Sequence, residues 1–199
     1  QLAKSLGADI IMMMPPYHGA LLKGNSDQIF DQFNEISKVG IPIMIQDAPL
    51  SGIELTVPLL TKMINEIEQL TCFKIESAQA ASKIRALIKN CSSRLDAPFD
   101  GEESITLYAD LEAGISGSMS SALLPEKIAP VIDHFWNDEK EKAEDIYNNI
   151  LPLINFENRQ CGFRATKTVM KEGGVIKSDF CRDPIKPLDQ DTKNLLLNF

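Results

Sequence analysis

The lysine at position 74 has the type and surroundings that best fit covalent chemistry. Its segment reads TCFKIES. Because side chains alternate along a strand, Cys72, Lys74 and Glu76 share one face. If that face lines a barrel interior, loss of water favours the neutral form of an amine, and a neutral amine forms a Schiff base with a carbonyl. An ordinary Lys74–Glu76 neighbour pair at a strand end is the open alternative.

Other polar residues lie where predicted strands end, at the positions from which βα loops build the active site of a barrel. They are Tyr17 and His18 after the first strand, Gln46 and Asp47 after the second, and Ser116 and Ser118 on the last. Because all of these residues lie at the same kind of position, we predict them as a group of candidate active-site residues.

Each of these residues also has a purely structural explanation. His18 fits an ordinary loop residue, Asp47 fits a turn cap, and Ser118 beside Gly117 fits a point of close packing. Acid–base chemistry by Glu76 and Asp47 is a further possibility that no spacing favours.

The sequence indicates no cofactor and no metal. It contains no GxGxxG after a strand, GxxxxGK[ST], GxSxG or HExxH motif, so nucleotide, serine-hydrolase and zinc-protease functions lack support. The 4 cysteines form no CxxC pair, and 2 histidines give no zinc spacing. We expect reduced, mostly buried thiols in a cytoplasmic protein.

Composition and charge limit the classes of molecule that this chain is expected to bind. The chain has 199 residues, 44% hydrophobic, with 20 basic against 28 acidic residues and a net charge of -8. Such a charge repels phosphate backbones and anionic lipids, so nucleic acid and membrane surfaces are not expected partners. No apolar run approaches the roughly 20 residues that cross a bilayer.

Short apolar runs alternate with amphipathic stretches over the first two thirds of the chain. This rhythm predicts an α/β fold with right-handed crossovers and a parallel sheet. Strands are predicted at 9–14, 41–45, 71–76, 96–99 and 115–119. Helices are predicted after N-caps at Ser26 and Thr56, from Ser77, and over 103–113 before Gly114.

The pattern changes after Leu124, which predicts a partial barrel over 1–124 and a helical unit over 125–199. Three helices are predicted in that unit, beginning at Pro125, at Asp138 and near Arg164. His134 and Trp136 are expected in core packing or in an oligomer contact.

Several segments, taken in order, resemble the dihydrodipicolinate synthase / N-acetylneuraminate lyase family over essentially the whole chain. They are GADIIMMMPPYH, IPIMIQDAPLSG, CFKIES, LEAGISGSM, PEKIAPVIDHFW and LPLINFE. The resemblance implies a (β/α)8 TIM barrel with a C-terminal helical unit, usually in homotetramers. It also implies a Schiff base between a lysine of the sixth strand and pyruvate or a related 2-oxo acid, without a cofactor.

The resemblance assigns roles to particular positions. Lys74 falls on the Schiff-base lysine. Tyr17 and His18 fall on the family's Pro-Tyr-Tyr segment, which makes them catalytic candidates for proton transfer. Gly117 and Ser118 fall near the small-residue stretch whose backbone approaches the bound keto acid.

One segment departs from the family pattern. The family's tyrosine acid/base lies in a Tyr-Asn-x-Pro segment, where this chain reads IQDAP, and LSG follows where an arginine is frequent. Gln46 and Asp47 are therefore predicted to bind substrate, with Tyr17, His18 or a water held by Asp47 moving protons. A lyase or dehydratase reaction other than dihydrodipicolinate synthesis is expected.

The family's first three strands have no counterpart, so the strands predicted here correspond to its fourth through eighth. We expect a C-terminal fragment with exposed sheet edges. Two alternatives stay open: a non-catalytic 2-oxo-acid-binding relative, and a truncated chain that is inactive alone.

Overall fold

The computed structural model describes residues 1–18, 22–49, 52–91, 94–96 and 98–199, and its contacts divide the chain into two units. Unit 1 comprises residues 1–102 and 106–119, and unit 2 comprises residues 103–105 and 120–199. The division after residue 119 lies slightly before the predicted boundary at 124.

Unit 1 is built on a parallel sheet. The strands of the described residues are β1 (Ile11–Met13), β2 (Tyr17–His18), β3 (Leu22–Lys23), β4 (Ile43–Asp47), β5 (Leu70–Ile75), β6 (Phe99–Asp100) and β7 (Gly117–Ser118). Five of them form one sheet in the order β1-β4-β5-β6-β7, with every neighbouring pair parallel. The predicted α/β fold with a parallel sheet is confirmed. The last two of these strands are shorter than predicted, and position 97 of the predicted strand 96–99 lies outside the described residues.

The pairing of β4 with β5 is irregular. Its register shifts between Ile43 and Met44, so that Thr71 of β5 has no counterpart on β4. Beyond the shift, Gln46 lies opposite Lys74. This register decides which side chains of the two strands share a face.

A short hairpin follows Pro15-Pro16, where the sequence predicted a loop. Strand β2 pairs with β3 in antiparallel register, with Tyr17 opposite Lys23. A strand of two residues is too short to leave the period-2 pattern by which strands are predicted. Residues 19–21 between the two strands lie outside the described residues.

The helices of unit 1 begin where capping chemistry satisfies their first N–H groups. They are α1 (Leu2–Ser5), α2 (Ser26–Ser37), α3 (Val57–Glu66), α4 (Ala80–Asn90) and α5 (Leu107–Ala113). Thr56 accepts from the Leu59 N–H, as predicted. The cap of α2 is Asn25 rather than Ser26, because Asn25 and Gln28 form a reciprocal capping box.

Two helix starts differ from the prediction for a backbone reason. Helix α4 begins at Ala80 and not at Ser77, because Gln79 has a left-handed conformation with φ 61. Helix α5 begins at Leu107 and not near 103, because Glu103 and Ser104 have φ 54 and 67. Non-glycine residues seldom adopt this region, so it interrupts a helix.

The core of unit 1 lies between the sheet and helices α2 to α4. The largest fully buried side chains include Phe33, Ile43, Ile45, Leu60, Met63, Ile64, Phe73, Ile75 and Ile84. Each such apolar side chain contributes about 1.5–3 kcal/mol on burial. The sheet that carries Lys74 is therefore packed against this core on one of its faces.

The secondary structure of unit 2 in the described residues is helical. It contains α6 (Pro125–Trp136), α7 (Lys140–Phe156), a π-helical turn (Glu157–Cys161), α8 (Phe163–Glu172) and α9 (Gln190–Asn198). The sequence did not predict α9, whose Asp189 cap accepts from Thr192. The Trp136 side chain is 56% exposed and lies outside the core of this unit.

All four cysteines are free thiols, and three of them are buried. Within the described part of the chain, no helix combines the length and the apolar character that a membrane span requires.

Candidate active site

Lys74 lies near the carboxyl end of β5, between β4 and β6 in the sheet. Its register neighbours are Gln46 on β4 and Phe99 on β6, and Phe99 is in turn opposite Gly117 on β7. Residues in register on parallel strands point to the same side. We call the side defined by Gln46, Lys74, Phe99 and Gly117 the lysine face. The Lys74 side chain is 12% exposed, so its amine is largely shielded from water.

Glu76 is the immediate partner of Lys74. The Lys74 Nζ lies 2.5 Å from Glu76 Oε1, and Gln46 Nε2 donates a hydrogen bond of 2.6 Å to the same oxygen. Glu76 retains 18% exposure, so its carboxylate still reaches solvent. Three side chains from the ends of two neighbouring strands thus meet at one carboxylate oxygen.

Gly101 closes this cluster from the side of β6. A Cβ at this position would lie 2.5 Å from Glu76 Cγ and 2.8 Å from Lys74 Cγ. Both distances are far below carbon–carbon contact distances. The absence of a side chain at 101 therefore makes room for the lysine and the carboxylate together.

The opposite side of the sheet, which we call the helix face, carries Asp47, Ile75, Asp100 and Ser118. Asp47 has 0% exposure, and its Oδ2 lies 2.6 Å from Lys83 Nζ on α4. Burial raises the pKa of the Asp47 carboxyl, and the Lys83 ammonium opposes that rise. The Asp47 carboxylate is therefore buried and paired with a lysine of α4.

More buried carboxylates lie on the helix face near α5. Ser118 Oγ donates to Asp100 Oδ2 at 2.6 Å, and Asp110 accepts from Thr106 Oγ1 at 2.7 Å. Burial raises the pKa of Asp110 to about 6, with the nearby charges of Asp100 and Glu102 adding to the rise. These groups lie away from the lysine.

The structure brings some of the predicted site residues together and separates others. Gln46 and Lys74 are joined through Glu76, and Gly117 lies on their face. Asp47 and the Ser118 side chain face the other way, because each follows a lysine-face residue in its strand. The structure therefore does not bring the Asp47 carboxylate, predicted to hold a water for proton transfer, to the lysine.

Some predicted positions fall partly or wholly outside the described residues. Tyr17 and His18 form the backbone of β2, but their side chains are outside the described part of the chain, as are residues 50–51 of the LSG segment.

Cys72 shares the strand and the alternation of Lys74 but is a poor nucleophile. Burial raises the pKa of the Cys72 thiol to about 11, so it stays protonated at neutral pH. Among the described residues, no group of three or more His, Cys, Asp or Glu side chains is arranged to hold a metal ion. Among the described residues of this face, the amine of Lys74 is thus a stronger candidate for a nucleophile than the Cys72 thiol.

The sequence indicates Glu76 as a neighbour of Lys74 and as a possible acid–base residue, and it gives no signal for Gly101 or Lys83. The i, i+2 spacing of Lys74 and Glu76 was the available signal for their meeting. Nothing in the sequence indicated that Gln46 would join them, since that depends on the register of β4 with β5.

An amine and a carboxylate at 2.5 Å can exchange a proton. The sequence had predicted a dry, uncharged amine; the structure gives a shielded amine that faces a carboxylate. An amine held beside a carboxylate in this way is an arrangement that suits proton transfer to and from a bound molecule.

Solved structures define the class of fold. The chain superposes on a dihydrodipicolinate synthase from Rhodopseudomonas palustris with a TM-score of 0.86 at 23% identity, covering 99% of this chain and 68% of that one. The enzyme from Aquifex aeolicus gives a TM-score of 0.87 at 22% identity, covering 98% and 66%. Unit 1 thus belongs to an α/β fold of the TIM-barrel kind that these proteins share.

Sequence similarity then gives the family. The chain belongs to the Dihydrodipicolinate synthetase family, which residues 1–198 match. It is 45% identical over 196 residues to an L-2-keto-3-deoxyarabonate dehydratase of Azospirillum brasilense, covering 98% of this chain and 63% of the relative. It is 25% identical to a 4-hydroxy-tetrahydrodipicolinate synthase of Hydrogenobaculum sp., covering 97% and 66%. The chain thus spans slightly less than two thirds of the length of these two relatives.

Proposed function

We propose that this chain carries the catalytic lysine of a lyase that forms a Schiff base with pyruvate or a related 2-oxo acid. The observation that carries the proposal is the shielded Lys74 amine, 2.5 Å from Glu76 Oε1 at the carboxyl end of a parallel strand. Membership of the family supports it. No cofactor is required, because the iminium itself withdraws electrons.

The first half of the reaction uses the lysine and its partner. Lys74 passes a proton to Glu76, and the neutral amine attacks the C2 carbonyl carbon to give a carbinolamine. That intermediate loses water and becomes the iminium. Glu76 returns its proton to the departing hydroxyl, and the resulting carboxylate then removes a proton from C3. The electron pair of that C–H bond moves into the C2–N system to form an enamine.

We further propose that Glu76 takes the part that the family assigns to a tyrosine. Its carboxylate is within reach of the lysine nitrogen, and Gln46 orients it at 2.6 Å. Tyr17 and His18 remain proposed contributors to proton transfer.

The preferred substrate class is a 2-keto-3-deoxy sugar acid. The support is the 45% identity to a dehydratase named for such a compound, together with the lack of tyrosine in the IQDAP segment. In such a substrate the enamine expels the C4 hydroxyl as water, with the protonated Glu76 supplying the proton, and leaves a conjugated iminium. Hydrolysis of that iminium by water breaks the C2–N bond and frees the Lys74 amine and the product. The carbon skeleton is kept, so the reaction is a dehydration.

Further parts of the proposal come from the family resemblance. The sheet strands β1, β4, β5, β6 and β7 would correspond to the fourth through eighth strands of a barrel. Backbone groups around Gly117 and Ser118 would hold the substrate carboxylate, with Gln46 as a further binding residue. Asp47 is not retained as a direct contact, given its sealed ion pair. We also propose a cytoplasmic location and a homotetramer. Light scattering on the complete protein measures the molar mass and so tests the tetramer.

Borohydride trapping tests the proposal. The complete protein is incubated with pyruvate or with L-2-keto-3-deoxyarabonate, reduced, digested and analysed by mass spectrometry. We expect a stable adduct on the peptide that contains Lys74, none in Lys74→Arg, and an unchanged adduct in Lys89→Met, a lysine on the exposed part of α4. If no small 2-oxo acid gives an adduct, the proposal is wrong, and thermal stabilisation without an adduct would indicate a binding protein instead.

A further inference from the structure

We infer that Lys83 is a positioning residue for Glu76 and acts through Asp47. The inference rests on the proposed function, because that function gives Glu76 a part in proton transfer. Lys83 itself touches neither Lys74 nor Glu76 in the contacts described above. Its effect passes through the end of strand β4.

Lys83 contacts two other segments of unit 1 from its position on α4: the end of β4 and the residues before α3. It belongs to α4, its Nζ lies 2.6 Å from Asp47 Oδ2 at the end of β4, and it donates 2.5 Å to the Leu55 carbonyl before α3. Its side chain is only 13% exposed, and Asp47 is fully buried. A buried pair holds its geometry more strictly than an exposed pair, because solvent does not compete for either partner.

Asp47 and the residue before it hold Glu76 twice. The Asp47 carbonyl accepts from the Glu76 N–H at 2.9 Å, and Gln46 Nε2 donates to the Glu76 carboxylate at 2.6 Å. Both the backbone and the side chain of Glu76 therefore depend on where the last two residues of β4 lie.

Because side chains alternate along β4, a contact of Lys83 with Asp47 on one face also affects the position of Gln46 on the opposite face. Asp47 points toward α4 and Gln46 toward Lys74, so anchoring Asp47 fixes the rotation of the strand end that presents Gln46. Among the described residues, a hydrogen bond from the Leu55 backbone also favours the ionised form of Asp47, and the charge of Glu54 works against it. Lys83 is thus the cation that keeps Asp47 in place.

The test separates positioning from stability. In the complete protein, Lys83→Met is compared with the double variant Asp47→Leu/Lys83→Met, which replaces the ion pair by apolar side chains, and with the control Lys89→Met. The readouts are the pyruvate adduct after borohydride, kcat and KM for L-2-keto-3-deoxyarabonate, and the thermal midpoint. We expect Lys83→Met to keep the adduct, to lose at least about tenfold in kcat and to change KM by less than about threefold.

The double variant gives the decisive comparison. We expect it to recover thermal stability relative to Lys83→Met, because no unpaired charge stays buried, while kcat stays low. Recovery of kcat together with stability would overturn the inference and leave the pair a purely structural role, as would unchanged kcat in Lys83→Met. A wild-type protein that forms no adduct contradicts the proposed function itself, which is a separate outcome.

Discussion

The two faces of the sheet in unit 1 carry the same chemical pair in different settings. On the lysine face, Lys74 lies 2.5 Å from Glu76, and both side chains keep some exposure. On the helix face, Lys83 lies 2.6 Å from Asp47, whose exposure is 0%. The two pairs therefore differ in their exposure to solvent and hardly at all in the distance between their charged atoms.

The difference lies in what surrounds each carboxylate. Glu76 reaches solvent and receives a second donor from Gln46, so its carboxylate is accessible from outside the protein. Asp47 has no exposed surface, and its carboxylate is paired with Lys83 of α4. Access and neighbours separate a group that can take part in a reaction from one that fixes geometry.

The comparison is tested most strongly by Glu76→Gln. The amide keeps the shape but no longer takes up or returns a proton, so we expect kcat to fall by about 10²–10⁴. The measurement is steady-state kinetics beside borohydride trapping with pyruvate, in which some adduct should still form. Glu66→Gln, an exposed carboxylate on α3, is the matched control. Unchanged kcat would show that Glu76 is an ordinary surface partner.

Gly101→Ala tests whether the lysine face depends on close approach. The added carbon would lie 2.5 Å from Glu76 Cγ, so Lys74 and Glu76 must move apart. We expect kcat to fall by roughly 10- to 100-fold, since misplacement by about 1 Å has that effect.

The control for that variant is Gly24→Ala. There the nearest atom to the added carbon is Ile29 Cγ1, a side-chain atom at 3.3 Å that can give way. Equal activity in both variants would contradict the crowding described at 101.

Asp110→Asn examines the helix face through its pH dependence. The folded-state pKa of Asp110 is raised from 3.8 to about 6. Between these values the folded state keeps a proton that the unfolded state has released, so the free energy of unfolding falls as pH rises through this window. The loss is complete above about pH 6.

Urea unfolding at about pH 4.5 and pH 7.5 measures this effect. We expect the wild type to lose on the order of 1–3 kcal/mol more than Asp110→Asn between the two conditions. Identical pH dependence in the two proteins would mean that Asp110 is not titrating in this window, and Glu66→Gln should behave as the wild type does.

Local signals made the order of the elements predictable. Apolar runs such as that of β5 and caps such as Thr56 act within a few residues, and the structure places both where the sequence indicated. The start of α4 was not predictable, because it depends on a left-handed Gln79 that carries no sequence signature. The same holds for the hairpin of β2 and β3.

The candidate site was predictable only in part. Lys74 stood out by its type within an apolar strand, strengthened by the family resemblance. That Asp47 would turn toward Lys83 was not predictable, because which face a residue takes depends on pairing between strands far apart in sequence.

The skipped residue Thr71 has a consequence for the identity of the site. If β4 and β5 continued in the spacing that Ile43 and Leu70 begin, Asp47 would lie opposite Lys74, and Gln46 would be turned to the far side. Because Thr71 is unmatched in the pairing of β4 with β5, the residue opposite Lys74 is the amide Gln46 and not the acid Asp47. Insertion or deletion of one residue at this point in a related protein would therefore place a different side chain opposite the same lysine, with Gln46 and Asp47 themselves unchanged.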